Sequence, residues 1–129
     1  MITLDHCMQE AMNLYENNDC GVRALALVCN IPYKTARETL SAHGRKHGAG
    51  VFTFQLAKAL VEHSNPKPLQ TVLKPKGGRY TPKTIGKAYP KGRFLLYSRG
   101  HVMAMVDGEI LDWAQDRRLR IVAIQEVKI

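Results

Sequence analysis

The fold of this protein is organised around one short stretch of sequence, NNDCGVRALALVC, at residues 17–29. The three polar residues 17–19 are all good helix N-caps, and the residues from Cys20 onward are apolar on nearly every side of a helix. A helix that is apolar all round is a buried one. We therefore predict a central buried helix from Cys20 to Cys29, which ends before Pro32.

Further helices are predicted on both sides of this central one. The first rests on apolar residues at a four–four–three spacing, which makes one helical stripe. A third is closed by Gly44, and a fourth begins with Thr53 as its N-cap. The predicted ranges are residues 4–15, 33–43 and 53–64, and a short fifth helix runs from Thr81 to about Tyr89.

The period of the apolar residues changes to two in the last third of the chain, where alternation predicts strands. The predicted strands are residues 93–98, 101–106, 109–113 and 120–127. Helices first and antiparallel strands second predict an α+β fold, with N-terminal helices packed on a C-terminal antiparallel sheet. The length of 129 residues predicts a single domain that spans residues 1–129.

Composition excludes several classes of protein. An apolar content of 45% with 23% charged residues is ordinary for a globular chain. No apolar run approaches the ~18 residues of a membrane span, and residues 1–6 have none of the features of a secretory signal. The cysteines number three, which does not suit a disulfide framework. We predict a cytoplasmic protein with reduced thiols and no membrane partner.

Metal and cofactor chemistry finds little support in the sequence. His43 and His47 are spaced i, i+4, as two zinc ligands on one helix face would be. Gly44 lies between them and is predicted to end the helix, and no second cluster supplies further ligands. We predict no metal site and no cofactor.

The net charge of +8 favours an acidic partner, and the charge is unevenly placed. Residues 67–93 contain eight lysines and arginines and no acid. The candidate partner-binding residues in this basic segment are Lys74, Lys76, Arg79, Lys83 and Lys87. They indicate either a surface for an acidic protein or nucleic acid, or a solvated loop that keeps the chain in solution.

Cys20 is the candidate nucleophile among the cysteines. The start of a helix stabilises a thiolate through its partial positive charge and its unpaired N–H groups, and Cys20 follows directly on the capping residues. Gly21 leaves room beside it for another backbone or a substrate to approach closely. Cys29 lies at the opposite helix end and Cys7 beside the first apolar stripe, so both are predicted to be buried hydrophobic residues.

A second candidate group is predicted by the turn Asp107-Gly108, a strong signal for a two-residue type I′ hairpin. That turn pairs Val106 with Glu109, which makes His101 and Asp112 diagonal neighbours roughly 7 Å apart on one face. The carboxylate can then accept a hydrogen bond from the imidazole, as the third group of a catalytic triad does.

The surroundings of this pair bear on its interpretation. Met103, Met105 and Ile110 are predicted to share its face, which places the pair at the edge of an apolar surface. The alternative is an exposed strand on which two polar side chains happen to face each other.

The order of these motifs resembles that of the papain-like cysteine peptidase superfamily. The motifs are Asn18-Asp19-Cys20-Gly21-Val22-Arg23-Ala24-Leu25, then Gly100-His101-Val102, then Asp112-Trp113. The chain is most similar to small prokaryotic and phage-encoded proteins with an N-D-C-x-x-R-A-L start and a G-H-x-x-x-x-x-D-G hairpin. It also resembles bacteriocin-leader-processing peptidases, whose catalytic helix opens with D-C-G.

The resemblance implies a papain-like fold with Cys20 as nucleophile, His101 as general base and acid, and Asp112 as the orienting group. If the protein is phage-encoded, it implies action in the host cytoplasm. Papain-like enzymes usually donate to the oxyanion from a glutamine six residues before the cysteine, a position that Leu14 occupies here. The candidate replacements are the Asn17 or Asn18 amide and the backbone N–H groups at Cys20.

Two functions follow from these patterns. The first is a thiol hydrolase that transfers an acyl group from a peptide or amide bond, with a peptide or protein as its substrate. The second is a papain-fold binding protein, without catalysis, that captures an acidic protein or nucleic acid through the basic segment.

Overall fold

A computed structural model describes residues 1–72, 78–114 and 119–129. Its helices are α1 Leu4–Asn13, α2 Cys20–Cys29, α3 Tyr33–Ala42, α4 Thr53–His63 and α5 Ile85–Ala88. Its strands are β1 Asn65–Pro66, β2 Gln70–Thr71, β3 Arg93–Ser98, β4 His101–Val106, β5 Glu109–Leu111 and β6 Ile121–Lys128. The α+β class is thereby confirmed. None of the described helices has the length and apolar character needed to cross a bilayer.

The strands form one antiparallel sheet in the order β1-β6-β3-β4-β5, and β2 also pairs with β6. The last strand of the chain is thus inserted beside β3, and the β4–β5 hairpin forms one edge. The strands β1 and β2 were not predicted, because two residues each are too few to show any alternation.

The predicted central helix is confirmed as α2. Eight of its ten residues are buried, and it packs against β4. Full burial of one Leu or Val side chain contributes about 1.5–3 kcal/mol, so α2 anchors the helical layer to the sheet. It ends at Asn30, which takes the left-handed conformation (φ 55°) that asparagine tolerates.

Alternation along the strands builds a core on each face of the sheet. Leu95, Val102 and Ala104 face the helices and join the main core around α2. The intervening residues, among them Met103 and Met105, form a second cluster on the opposite face. Both faces of the sheet are therefore covered by buried side chains, and α2 packs on one of these faces.

The N-cap of α4 and the start of α5 differ from the prediction. The helix α4 begins at Thr53, and its N-cap is Phe52, whose backbone N–H donates to Oε1 of Gln55 at 2.8 Å. Gln55 therefore accepts the N–H of the N-cap residue, which is a different bond from the side-chain cap predicted for Thr53. The segment after Thr81 first forms a hydrogen-bonded turn, so α5 is shorter than expected.

Candidate active site

Cys20 is the first residue of α2 and is half-buried. The preceding N-cap, Asp19, makes no capping bond with its side chain. Its carboxylate instead accepts a hydrogen bond from Tyr33 Oη at 2.8 Å and lies 3.5 Å from Arg23 Nη1. The first N–H groups of a helix have no partner within it, so those of α2 are available to an anion at Cys20.

The predicted hairpin is confirmed. Asp107 and Gly108 both have positive φ, at 49° and 80°, as a type I′ turn requires, and Val106 pairs with Glu109. The side chains of His101 and Asp112 meet, with Nε2 of the imidazole 2.8 Å from Oδ2 of the carboxylate.

The face of the sheet on which His101 and Asp112 were predicted to lie was wrong. Met103, Met105 and Ile110 belong to the cluster away from the helices, whereas His101 shares its surroundings with Cys20 on α2. The reason lies at the strand ends: His101 is the first residue of β4, and Asp112 follows the last residue of β5. Alternation fixes the direction of side chains within a strand, but not where the pairing ends.

Asp112 is held firmly behind the imidazole. Its side chain is 2% exposed, and Oδ2 also accepts the backbone N–H of Ala114 at 3.0 Å. The indole of Trp113 lies against the imidazole, with ring centroids 5.2 Å apart. Burial and the indole keep water from the bond between carboxylate and imidazole, which strengthens it.

The thiol and the imidazole shift each other's pKa. Burial alone would raise the pKa of Cys20, but hydrogen bonds from His101 and from the backbone N–H of Val102 outweigh it and lower the pKa. The hydrogen bond to Asp112 and then that to Cys20 raise the pKa of His101 to about 9, against the effect of burial. Both directions favour the charged forms, a thiolate on Cys20 and an imidazolium on His101.

The other two cysteines differ from Cys20 in both burial and pKa. Burial raises the pKa of Cys7 to about 12, and it also raises the pKa of Cys29. Both are buried in the core around α2. Neither forms a disulfide, and neither has the environment of a nucleophile.

Two clefts meet at Cys20, Gly100 and His101. The apolar cleft has a volume of about 210 Å³, and its walls include Val51, Leu56, Tyr97 and Val102. The polar cleft has a volume of about 470 Å³, and its walls include Glu16, Asn17, Asn18, Asp19, Arg23 and Trp113. Cys20 therefore lies where the two clefts join.

The candidate oxyanion residues Asn17 and Asn18 lie in the wall of the polar cleft. The Asn18 amide donates to the carbonyl of Gly48 at 3.0 Å, so one of its two N–H bonds holds the loop after α3. A role for either asparagine toward an oxyanion stays a prediction.

Glu16 is a residue that the sequence analysis missed. Its side chain is fully buried, lies 2.9 Å from Arg45 Nη1 and 2.6 Å from Arg37 Nε, and accepts the Gly48 N–H at 2.9 Å. Burial alone would raise the pKa of Glu16, but the arginine hydrogen bonds lower it to about 2. The network fastens the loop of residues 44–50 beside the start of α2. Its members lie 21 to 32 positions apart, beyond any local sequence signal.

Gly21 was predicted to leave room beside Cys20, and the group that fills this room is the side chain of Val51. A Cβ at Gly21 would collide with Cγ2 of Val51 and lie 3.1 Å from its Cγ1. Val51 also lines the apolar cleft, so the glycine determines how closely that wall approaches the thiol.

The basic segment is described only in part. Arg79, Lys83 and Lys87 are exposed, whereas Lys74 and Lys76 lie outside the described residues. Elsewhere, His43 pairs with Glu62 at 2.9 Å, and His47 contacts Arg37 at 2.9 Å. Within the described ranges no three His, Cys, Asp or Glu side chains are grouped as a metal site.

Comparisons with protein-family models, with curated proteins and with solved structures give no match. Function is therefore inferred from the chemistry of the site.

Proposed function

We propose that this protein is a thiol hydrolase of papain-like arrangement that transfers an acyl group from a peptide or amide bond. One observation carries the proposal: Cys20, at the start of a buried helix, lines the same two clefts as His101, which is bonded in turn to the buried Asp112. A nucleophile, a base and a group that orients the base are the parts that such a reaction needs.

In the first step the Cys20 thiolate attacks the substrate carbonyl carbon, and the C=O π electrons move to oxygen. The N–H groups at the start of α2 stabilise this oxyanion, a contribution worth about 3–4 kcal/mol per donor in serine peptidases. When the C–N bond breaks, the electron pair leaves with nitrogen, and His101 donates a proton to it. The products are an amine and a thioester on Cys20.

In the second step water hydrolyses the thioester. Neutral His101 accepts a proton from the water as it attacks, and the Cys20 thiolate leaves with the electron pair of the C–S bond. Asp112 holds the imidazole through Nε2 in both steps, so that Nδ1 is the nitrogen turned to the sulfur and the substrate.

The experiment uses p-nitrophenyl acetate, a generic acyl donor. We expect a burst of nitrophenolate and an acetyl group on Cys20, detected by mass spectrometry of the intact protein and its peptides. Cys20→Ala should abolish the burst, and His101→Ala should slow it by about 10²-fold or more, the usual contribution of a general base. Cys29→Ala, at the other end of the same helix, is the matched control. A burst that survives in Cys20→Ala would refute the proposal.

A binding function is the second candidate, and the exposure of Arg79, Lys83 and Lys87 favours it. In that case the basic segment would hold the partner without turnover, and the partner would be an acidic protein or nucleic acid. Retention on heparin that is lost at modest salt, together with no acetyl group on Cys20, would support this alternative.

A further inference from the structure

The segment of residues 51–56 forms one wall of the apolar cleft and also carries two exposed aromatic rings. Val51, Thr53 and Leu56 line the cleft beside Cys20. Phe52 and Phe54, from the same segment, are 67% and 57% exposed. The apolar surface at the thiol therefore continues outward over this segment.

The two rings are stacked on each other. Their centroids are 5.8 Å apart, and their planes differ by 8°. Lys58 Nζ lies over the Phe54 ring, 5.7 Å from its centroid, as in a cation–π contact. Single hydrophobic residues scattered over a surface are normal. Two exposed rings that stack next to a cleft instead form a continuous apolar patch, and such a patch indicates a binding surface.

The cleft itself sets the size of what can enter. Its volume of about 210 Å³ is smaller than the roughly 300–1,000 Å³ of a typical small-molecule site. It therefore suits one side chain, and its Val51, Leu56, Tyr97 and Val102 walls suit an apolar one. The polar cleft on the other side of Cys20 has charged walls and would not favour the same group.

We propose that the substrate is a peptide with an aromatic or large aliphatic residue beside the reacting bond. That side chain fills the apolar cleft, and the adjoining part of the peptide packs on the Phe52–Phe54 rings. This inference rests on the proposed function, since it needs a reacting carbonyl at Cys20. Phe52 and Phe54 are specificity-determining residues that touch neither the thiol nor the reacting atoms.

The experiment compares two alkylating reagents that carry the same reactive group. Iodoacetamide measures the thiolate of Cys20, and N-phenethyl iodoacetamide adds an aromatic tail. We expect the tailed reagent to react faster with the wild type. The double variant Phe52→Ser/Phe54→Ser should reduce the ratio of the two rates by roughly threefold to tenfold, the range for aromatic contacts of this kind. Met12→Ser, an exposed apolar residue on α1, is the control and should leave the ratio unchanged.

Three outcomes would overturn the inference. Fast, His101-dependent alkylation with equal rates for the two reagents would refute the substrate preference and leave the proposed function standing. A concentration-dependent dimer that the double variant abolishes, with the ratio unchanged, would assign the rings to contact between copies. If His101→Ala did not change the rate with plain iodoacetamide, the proposed function would fail and the inference with it.

Discussion

Nε2 of His101 is bonded to Oδ2 of Asp112 at 2.8 Å, and this bond determines which ring nitrogen meets the thiol. With Nε2 engaged, Nδ1 is the nitrogen left for Cys20. Because Asp112 is 2% exposed, its negative charge acts on the imidazole with little screening by water. The buried carboxylate thus stabilises the imidazolium, which in turn stabilises the thiolate.

Asp112→Asn tests this chain of effects. Without the carboxylate charge, the pKa of His101 should fall from about 9 toward its ordinary 6.5. The pKa of Cys20 should rise, because it loses its cationic neighbour. At about pH 8 the protonated fraction of His101 would fall by up to roughly 30-fold. NMR titration of His101 and the pH dependence of Cys20 alkylation measure the two opposite shifts.

Asp107→Asn is the matched control, because Asp107 is an exposed acid of the same hairpin, and asparagine can still accept the Gly92 N–H. Asp107→Asn should leave the pKa values of His101 and Cys20 unchanged. Shifts of the same size in Asp107→Asn and Asp112→Asn would show that the hairpin fold, and not the buried carboxylate, governs the imidazole.

The order of cysteine reactivity is a second prediction. At neutral pH Cys20 should be alkylated well before Cys7 and Cys29, since its pKa is lowered and theirs are raised by burial. Peptide mapping after brief exposure to iodoacetamide gives the order directly. Modification of Cys7 or Cys29 first in the folded protein would remove Cys20 from the role of nucleophile.

Local signals account for the parts of the site that the sequence predicted. Three capping residues and an apolar run identify the start of α2 at Cys20, and Asp107-Gly108 identifies the hairpin and its register. Each signal lies within a dozen residues of the feature that it predicts. The approach of α2 to His101 has no such signal and came only from the resemblance in motif order.

Long-range contacts account for what the sequence did not predict. Glu16 and Arg45 are 29 positions apart, and nothing near either residue marks it as buried. The predicted face of His101 was wrong: the pairing of β4 with β5 ends at Ala104 and Leu111, and His101 pairs with Ser98 of β3 instead. Chain packing, not local pattern, determines both.

Glu16→Gln is expected to be strongly destabilising. The variant leaves the fully buried Arg45 side chain without a negative partner, a loss of about 3–5 kcal/mol in the free energy of unfolding. Urea denaturation followed by circular dichroism measures it. Glu38→Gln, an exposed acid on α3, is the control and should change stability by less than ~0.5 kcal/mol.

The loss of stability caused by Glu16→Gln should depend on pH. A carboxyl whose pKa is lowered on folding contributes stability above its ordinary pKa of 4.5, and this contribution is lost as the pH falls through about 2. The difference in the free energy of unfolding between wild type and Glu16→Gln should therefore become smaller as the pH falls from 4.5 to about 2. A difference that stays constant over that range would show that lost packing, and not charge, is responsible.

The basic segment is tested by exchanging Lys74, Lys76, Lys83 and Lys87 for glutamine. If the segment binds a polyanion, retention on heparin should weaken, and the dependence of binding on salt should become shallower because fewer counterions are released. Stability should hardly change. Lys34→Gln/Lys46→Gln, two exposed lysines elsewhere, is the control. If the quadruple variant were retained on heparin as strongly as the wild type, the segment would be a solvated loop and not a binding site.

The contact between Gly21 and Val51 gives the last prediction. Gly21→Ala should cost about 1–3 kcal/mol, because its Cβ collides with a γ-methyl group of Val51 and the core must shift. Adding Val51→Ala removes both γ carbons, so the double variant should be more stable than the sum of the single effects. Gly50→Ala is the control, since a Cβ there meets nothing within 4 Å. If the two single effects simply add, Val51 does not pack on Gly21, and the wall of the apolar cleft beside Cys20 is positioned by other contacts.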